Sequence, residues 1–185
     1  GDSSGGGTAF SLLLHISKEP GRWPTPSGGV LYSPWTNLGC DTPSYYHNAF
    51  SNHTTDNYYS YAYYSTYTGD IIFKDGPGDA TAAYRKVSIK YLGGDPDREP
   101  VEPAYLEMLR DPVASGFHAG SAELKGLPPM YWVVSGTELL AGDSILPSTR
   151  AARLGVDVTL DVHPGMWHVF PMYSEGCGGG EAGRG

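Results

Sequence analysis

Gly1-Asp2-Ser3-Ser4-Gly5-Gly6 opens the chain and decides how the rest of it is read. The pattern G-x-S-x-G describes a strand that ends in a sharp turn, lifts a serine hydroxyl clear of the sheet and passes directly into a helix. A turn that tight crowds the backbone and calls for small residues two positions either side of the serine, here Gly1 and Gly5. Ala9, Leu12, Leu13 and Ile16 then recur at helical spacing, and Pro20-Gly21 ends the run. Ser3 is therefore the candidate nucleophile. The strand that should lead into Gly1 is not among these residues, so the chain reads as a piece of a larger fold.

A lone G-x-S-x-G also arises by chance, and a Gly-rich start fits a linker, so the motif needs partners. Gly-Asp-Ser-Gly-Gly surrounds the nucleophile of trypsin-like proteases, but here Ser4 replaces the first glycine of the pair. In those proteases the histidine and aspartate also precede the serine. Whatever assists Ser3 must lie downstream, an acid first and a histidine after it.

The bulk properties narrow the field. At 185 residues the chain is one domain or part of one. A net charge of -8 and the lack of a clustered Lys/Arg patch argue against nucleic acid as a partner. No apolar run reaches the length of a membrane span. Cys40 and Cys177 form no metal spacing and read as free thiols. Neither a metal nor a cofactor is called for.

Gly29-Val30-Leu31-Tyr32-Ser33, closed by Pro34, is a short apolar run bounded by turn formers and predicts a buried strand. From about 40 to 78 the chain is rich in Tyr, Asn, Ser and Thr without a clear period. It reads as an irregular excursion covering a neighbouring surface, or as a wall of a substrate pocket. Asp79 is expected to cap a helix through Ala83, Tyr84, Val87 and Tyr91 that stops at Gly93-Gly94. A short helix is expected over 105–109, then a second buried strand at Met130-Tyr131-Trp132-Val133-Val134-Ser135. Asp143 or Ser144 starts a further helix with Gly155 just past its end. Val156, Val158, Leu160 and Val162 alternate with polar residues, which predicts a strand near a sheet edge. Residues 174–185 form a Gly-rich tail. Alternating strands and helices of this kind belong to a parallel sheet with helical crossovers.

In such sheets functional groups gather beyond the carboxyl ends of the strands. Glu138 and Asp143 follow the second predicted strand, and His163 and His168 follow or continue the third. His168 lies past Gly165, where the chain can turn back, and is the candidate general base; His163 still belongs to the strand. Glu138 directly follows its strand and is the first candidate for the acid that orients His168. Asp143 is the alternative, with a competing reading as a helix N-cap. His15, His47, His53 and His118 read as structural or solvated.

The ordered set of motifs resembles the hormone-sensitive-lipase-like esterases of the α/β-hydrolase superfamily. The resemblance is carried by Gly1-Asp2-Ser3-Ser4-Gly5-Gly6, Ser33-Pro34-Trp35, Gly126-Leu127-Pro128-Pro129, Glu138-Leu139-Leu140-Ala141-Gly142-Asp143-Ser144 and Gly165-Met166-Trp167-His168-Val169-Phe170. It implies that residues 1–185 are a single partial α/β-hydrolase domain, a parallel sheet with flanking helices lacking its N-terminal strands. It also implies hydrolysis of a small-molecule ester by Ser3, Glu138 and His168, with Glu138 at the acid position. The family's His-Gly-Gly-Gly loop lies upstream of the elbow, which leaves the backbone N–H of Ser4 as the oxyanion donor within these residues. A final helix usually follows where the Gly-rich tail stands, so the chain is read as truncated at both ends and inactive as a fragment. Two alternatives share the fold. Gibberellin receptors of land plants share Gly-Asp-Ser-Ser-Gly-Gly but lost the catalytic histidine and bind a hormone in the old active site. Serine peptidases or amidases on this fold would use the same triad.

Overall fold

The computed structural model describes residues 1–48, 80–98 and 101–173. The predicted 174–185 tail, the Asp79 cap, Cys177 and most of the Tyr-rich excursion fall outside them. Helix α1 spans Ser3–Lys18 and is followed by strand β1, Gly29–Tyr32, and by a short helix α2, Pro43–His47. Helices α3, Ala80–Tyr91, α4, Pro103–Met108, and α5, Ser121–Lys125, lead to strand β2, Met130–Ser135. Helix α6, Ala141–Arg153, then connects to strand β3, Val158–His163, and a 3-10 turn closes the described chain at Phe170–Tyr173.

The three strands form one parallel sheet in the order β1-β2-β3. Gly29 pairs with Met130 and Met130 with Val158, so the strands start level and their carboxyl ends project together. The chain entering the elbow continues this sheet on the outer side of β1. The Gly1 nitrogen donates to the Val30 carbonyl at 2.9 Å, and the Tyr32 N–H donates to the Gly1 carbonyl at 3.0 Å. Ser3 thus lies at the same end of the sheet as the loops after β2 and β3.

One face of the sheet is packed. Leu31, Met130 and Trp132 meet Phe10, Leu13 and Leu14 of α1, together with Leu124 and Ala151 from the later helices. The rings of Phe10 and Trp132 meet edge-on, with centroids 5.0 Å apart. This corrects the face expected for α1. Leu12 is exposed, and the apolar positions that matter are Phe10, Leu13 and Leu14. The strand expected to be buried, β1, is enclosed at Leu31, while Val30 on its other face is 46% exposed among the described residues. β3 stands at the edge of the described sheet, and Val156, Val158 and Leu160 pack on the core while Val162 is exposed.

A second apolar cluster lies beyond the strand ends, where Trp35, Leu38, Cys40 and Tyr45 pack against Leu139 and Leu140. Part of the 40–78 stretch expected to be irregular is therefore helical. α2 docks on the loop after β2, where Ser44 Oγ donates to the Leu139 carbonyl at 2.6 Å and accepts the Gly142 N–H at 3.0 Å. No helix among the described residues is long and apolar enough to cross a membrane.

Candidate active site

The elbow is built by backbone conformation. Asp2 is extended at φ -127°, Ser3 turns to φ +49°, and α1 begins at Ser3 itself. A non-glycine residue in the left-handed region is uncommon and is held there by its surroundings. The Ser3 carbonyl accepts the Trp35 N–H at 2.8 Å, and the Gly6 N–H donates to the Asp2 carbonyl at 2.8 Å. A Cβ on Gly1 would lie 2.6 Å from the Gly5 carbonyl oxygen, so the first glycine of the motif is required by the turn. The second is not, because a Cβ on Gly5 would meet nothing within 4 Å among the described residues. The close approaches fall one turn later. A Cβ on Gly6 would lie 2.8 Å from Pro34 Cβ, and one on Gly7 would lie 1.9 Å from the Trp35 carbonyl oxygen. The Gly5-Gly6-Gly7 run lets the Ser33–Trp35 turn press against the start of α1.

Two of the sequence-predicted residues meet directly. His168 Nε2 lies 2.9 Å from Ser3 Oγ, and the two are 165 positions apart in the chain. Glu138 Oε2 lies 3.5 Å from His168 Nδ1, on the far side of the ring. The Glu138 side chain is fully enclosed and His168 is 12% exposed. Burial pushes the Glu138 carboxyl up to about 8, and hydrogen bonds from Ser33 and from the backbone at Ser135 and Val169 work against that rise.

Both loops are held by hydroxyl and amide clamps. Ser135 Oγ and Thr137 Oγ1 donate to the Met166 carbonyl at 2.6 and 2.7 Å, fixing the chain two residues before His168. Asn48 Nδ2 donates to the Glu138 carbonyl at 2.7 Å and to the Gly136 carbonyl at 3.3 Å. Ser33 Oγ donates to Glu138 Oε2 at 2.8 Å and accepts the Val169 N–H at 3.0 Å. In the sequence Ser33-Pro34-Trp35 is only a recognition motif, and nothing local to Ser33 announces a partner 105 positions away.

Asp143 is elsewhere. Helix α6 starts at Ala141 with Leu140 in the cap position, so Asp143 lies inside the first turn and does not cap its own helix. Its carboxylate instead serves a distant loop. Oδ2 accepts the N–H groups of Thr36 and Asn37 at 3.1 and 2.9 Å and the Tyr45 hydroxyl at 3.2 Å. Burial pushes its pKa well above the usual carboxylate range, against those bonds.

Ser4 is the second residue of α1, where a helix offers no i−4 carbonyl to the N–H group. Its amide therefore belongs to the donor-rich end of the helix beside Ser3. His163 stays in β3 with Nε2 3.1 Å from Asp161 Oδ2, and His15 and His47 are exposed. His118 is partly enclosed, and burial lowers its pKa. Cys40 is a buried free thiol whose pKa burial raises to about 11. Among the described residues no three His, Cys, Asp or Glu side chains gather as a metal site.

A parallel sheet whose strand ends carry an elbow serine, a histidine at hydrogen-bonding distance and a buried carboxylate defines a class of protein. Residues 80–172 match the family described as the α/β hydrolase fold, and the chain belongs to that family. The chain is similar to an acetyl-hydrolase of Streptomyces hygroscopicus, at 30% identity over 174 residues, 94% of this chain and 44% of that protein. It is similar to an esterase of Acinetobacter venetianus at 25% identity over 176 residues, again 94% of this chain and 44% of the other. Among solved structures it resembles a hormone-sensitive lipase from a metagenome library, with TM-score 0.63 and 28% identity, covering 94% of this chain and 45% of the lipase. The chain thus spans less than half the length of these relatives.

Proposed function

We propose that this chain carries the catalytic triad of a carboxylic ester hydrolase. Ser3 attacks the ester carbonyl, His168 takes the serine proton and returns it to the leaving alkoxide, and Glu138 holds the ring and balances the imidazolium. The acyl group then rests on Ser3 until water, activated by the same histidine, releases it. The Ser4 N–H supplies one donor to the oxyanion.

The observation that carries this reading is the 2.9 Å approach of His168 Nε2 to Ser3 Oγ with a carboxylate on the opposite ring nitrogen. It favours catalysis over the hormone-binding alternative, in which the histidine is lost. Of the relatives, one named an esterase supports an ester as the substrate, and one named an acetyl-hydrolase supports an acetyl group as the acyl part.

The reading extends to a full-length protein about twice this long, in which these residues form the C-terminal part and the remaining oxyanion donors come from upstream. One such donor is worth about 3–4 kcal/mol at the transition state. Residues 1–185 alone should therefore turn over esters far more slowly than the full-length protein.

The test is hydrolysis of p-nitrophenyl acetate and butyrate by the full-length protein, together with labelling by a fluorophosphonate and mapping of the label. Turnover with the label on Ser3 is the expected result. A cooperatively folded protein that hydrolyses neither ester and takes no label at Ser3 refutes the reading.

A further inference from the structure

Ser33 touches no reacting atom, yet its hydroxyl stands between the loop of the acid and the loop of the base. It is completely buried in the turn after β1, and its N–H is fixed to the Val133 carbonyl at 2.8 Å. The Ser33 oxygen accepts the Val169 N–H at 3.0 Å and lies 2.8 Å from Glu138 Oε2. An amide N–H can only donate, so the single hydroxyl proton has one destination, the Glu138 oxygen. Oε2 is therefore an acceptor, and it is the same oxygen that lies 3.5 Å from His168 Nδ1.

We propose that Ser33 is a positioning residue for ester hydrolysis, which holds Glu138 Oε2 as an acceptor aimed at His168 while locking the residue after His168 in place. The inference rests on the esterase reading and adds a residue to it. One hydroxyl reads out both loops at once. If the histidine loop withdraws, Ser33 loses the donor that orients its lone pair; if the acid loop withdraws, it loses its acceptor. The bond also favours the ionised form of the acid, because a donated hydrogen bond stabilises a carboxylate more than its protonated state.

The groups that titrate around Glu138 are His168, across the 3.5 Å gap, and Asp143, which feels the Glu138 charge from the first turn of α6. From α2 the contact is the neutral amide of Asn48. Removing the Ser33 hydroxyl leaves all of these in place and withdraws one donor from Glu138.

Ser33→Ala and Ser33→Gly in the full-length protein test the proposal by pH profiles of p-nitrophenyl acetate hydrolysis, with kcat and KM resolved. Ser33 has φ +44°, a conformation glycine adopts without strain, so a loss shared by both variants does not come from the backbone. KM should stay within about twofold and kcat should fall about tenfold or more, the scale of a hydrogen bond to a charged group. The acid limb of kcat should move up by about one pH unit, because a carboxylate that loses a donor holds its proton to higher pH. An acid limb that stays put in both variants overturns the proposal, and so does failure of both to melt cooperatively. A wild-type protein that folds but neither hydrolyses the ester nor takes a fluorophosphonate at Ser3 overturns the esterase reading and this inference with it.

Discussion

Ser33 and Val169 both have left-handed backbone, at φ +44° and +55°, and are joined across 136 positions by a 3.0 Å hydrogen bond from the Val169 N–H to the Ser33 hydroxyl. For a β-branched residue this conformation is an outlier, and strain of this kind costs about 1–3 kcal/mol per residue. Ser3 is the third such residue in the same small region. The turn at Ser3, the turn at Ser33 beside Glu138 and the turn after His168 are each bent out of the ordinary range. Each is tied to a neighbour, Ser3 through its carbonyl to Trp35, and Ser33 through its hydroxyl to Glu138 and Val169. The strain gathers beyond the carboxyl ends of the strands, where the proposed triad lies, while the face between α1 and Trp132 is packed.

Ser3→Ala and His168→Ala in the full-length protein should each reduce kcat for p-nitrophenyl acetate by about 10⁶, and the double variant should be little worse than either. The two side chains act through one proton transfer, so losing either removes the same step. Losses that multiply would mean that the 2.9 Å contact has no shared role.

Replacing each carboxylate by its amide separates the roles of Glu138 and Asp143. Glu138→Gln should lower kcat by about 10⁴, the cost seen when a triad acid of a serine protease becomes an amide. Asp143→Asn should leave most of the activity, because an amide oxygen can still accept the Thr36 and Asn37 N–H groups. Asp143→Ala leaves those donors and the Tyr45 hydroxyl without their acceptor and should cost about 3–5 kcal/mol. Steady-state kinetics alongside denaturant unfolding would check the pair. A larger kcat loss in Asp143→Asn than in Glu138→Gln would reverse the assignment.

What was legible in the sequence followed from how local each cause is. β2 was readable to the residue, because Met130 to Ser135 is an unbroken run set off by Pro128-Pro129 and enclosed on nearly every side. Ser3, Glu138 and His168 were each placed beyond a strand end by local pattern, and the folded chain brings their side chains to 2.9 and 3.5 Å. The buried face of α1 was misread because Leu12, Leu13 and Ile16 have the same helical spacing as Phe10, Leu13 and Leu14. Only the Trp132 ring decides between them. Asp143 was misread as a cap because its true partners, Thr36 and Asn37, lie more than a hundred positions away. Ser33 stayed silent for the same reason.

The glycine run offers a clean steric contrast. Gly7→Ala sets a methyl 1.9 Å from the Trp35 carbonyl oxygen, where backbone must part from backbone. The cost should be about 3 kcal/mol or more, the upper range of overpacking. Gly5→Ala meets nothing within 4 Å and lies inside α1, so it should gain up to about 1 kcal/mol in helix propensity. Urea midpoints of the two variants decide the matter. Equal destabilisation would mean that the second glycine of the elbow is crowded after all.

The carboxyl proposed as the triad acid should also weaken the fold as pH rises. Glu138 is fully enclosed, and burial raises its carboxyl from an ordinary value of 4.5 to about 8. Below 4.5 the group is protonated in both the folded and the unfolded chain, and its stabilising contribution is fully present. As pH rises, the unfolded chain releases the proton first, so this contribution declines and is lost through about 8. Each unit of difference is worth about 1.4 kcal/mol, which makes the loss across that window several kcal/mol. Asp143, also raised by burial, pushes in the same direction. Glu138→Gln cannot ionise and should escape its share of the loss. The variant should match the wild type in acid and exceed it in stability by several kcal/mol near pH 8, while hydrolysing esters far more slowly. Guanidinium unfolding of both proteins at several pH values between about 4 and 8 measures the difference directly. Parallel stability curves would mean that Glu138 is ionised in the fold at neutral pH at no cost, held by Ser33 and His168 alone.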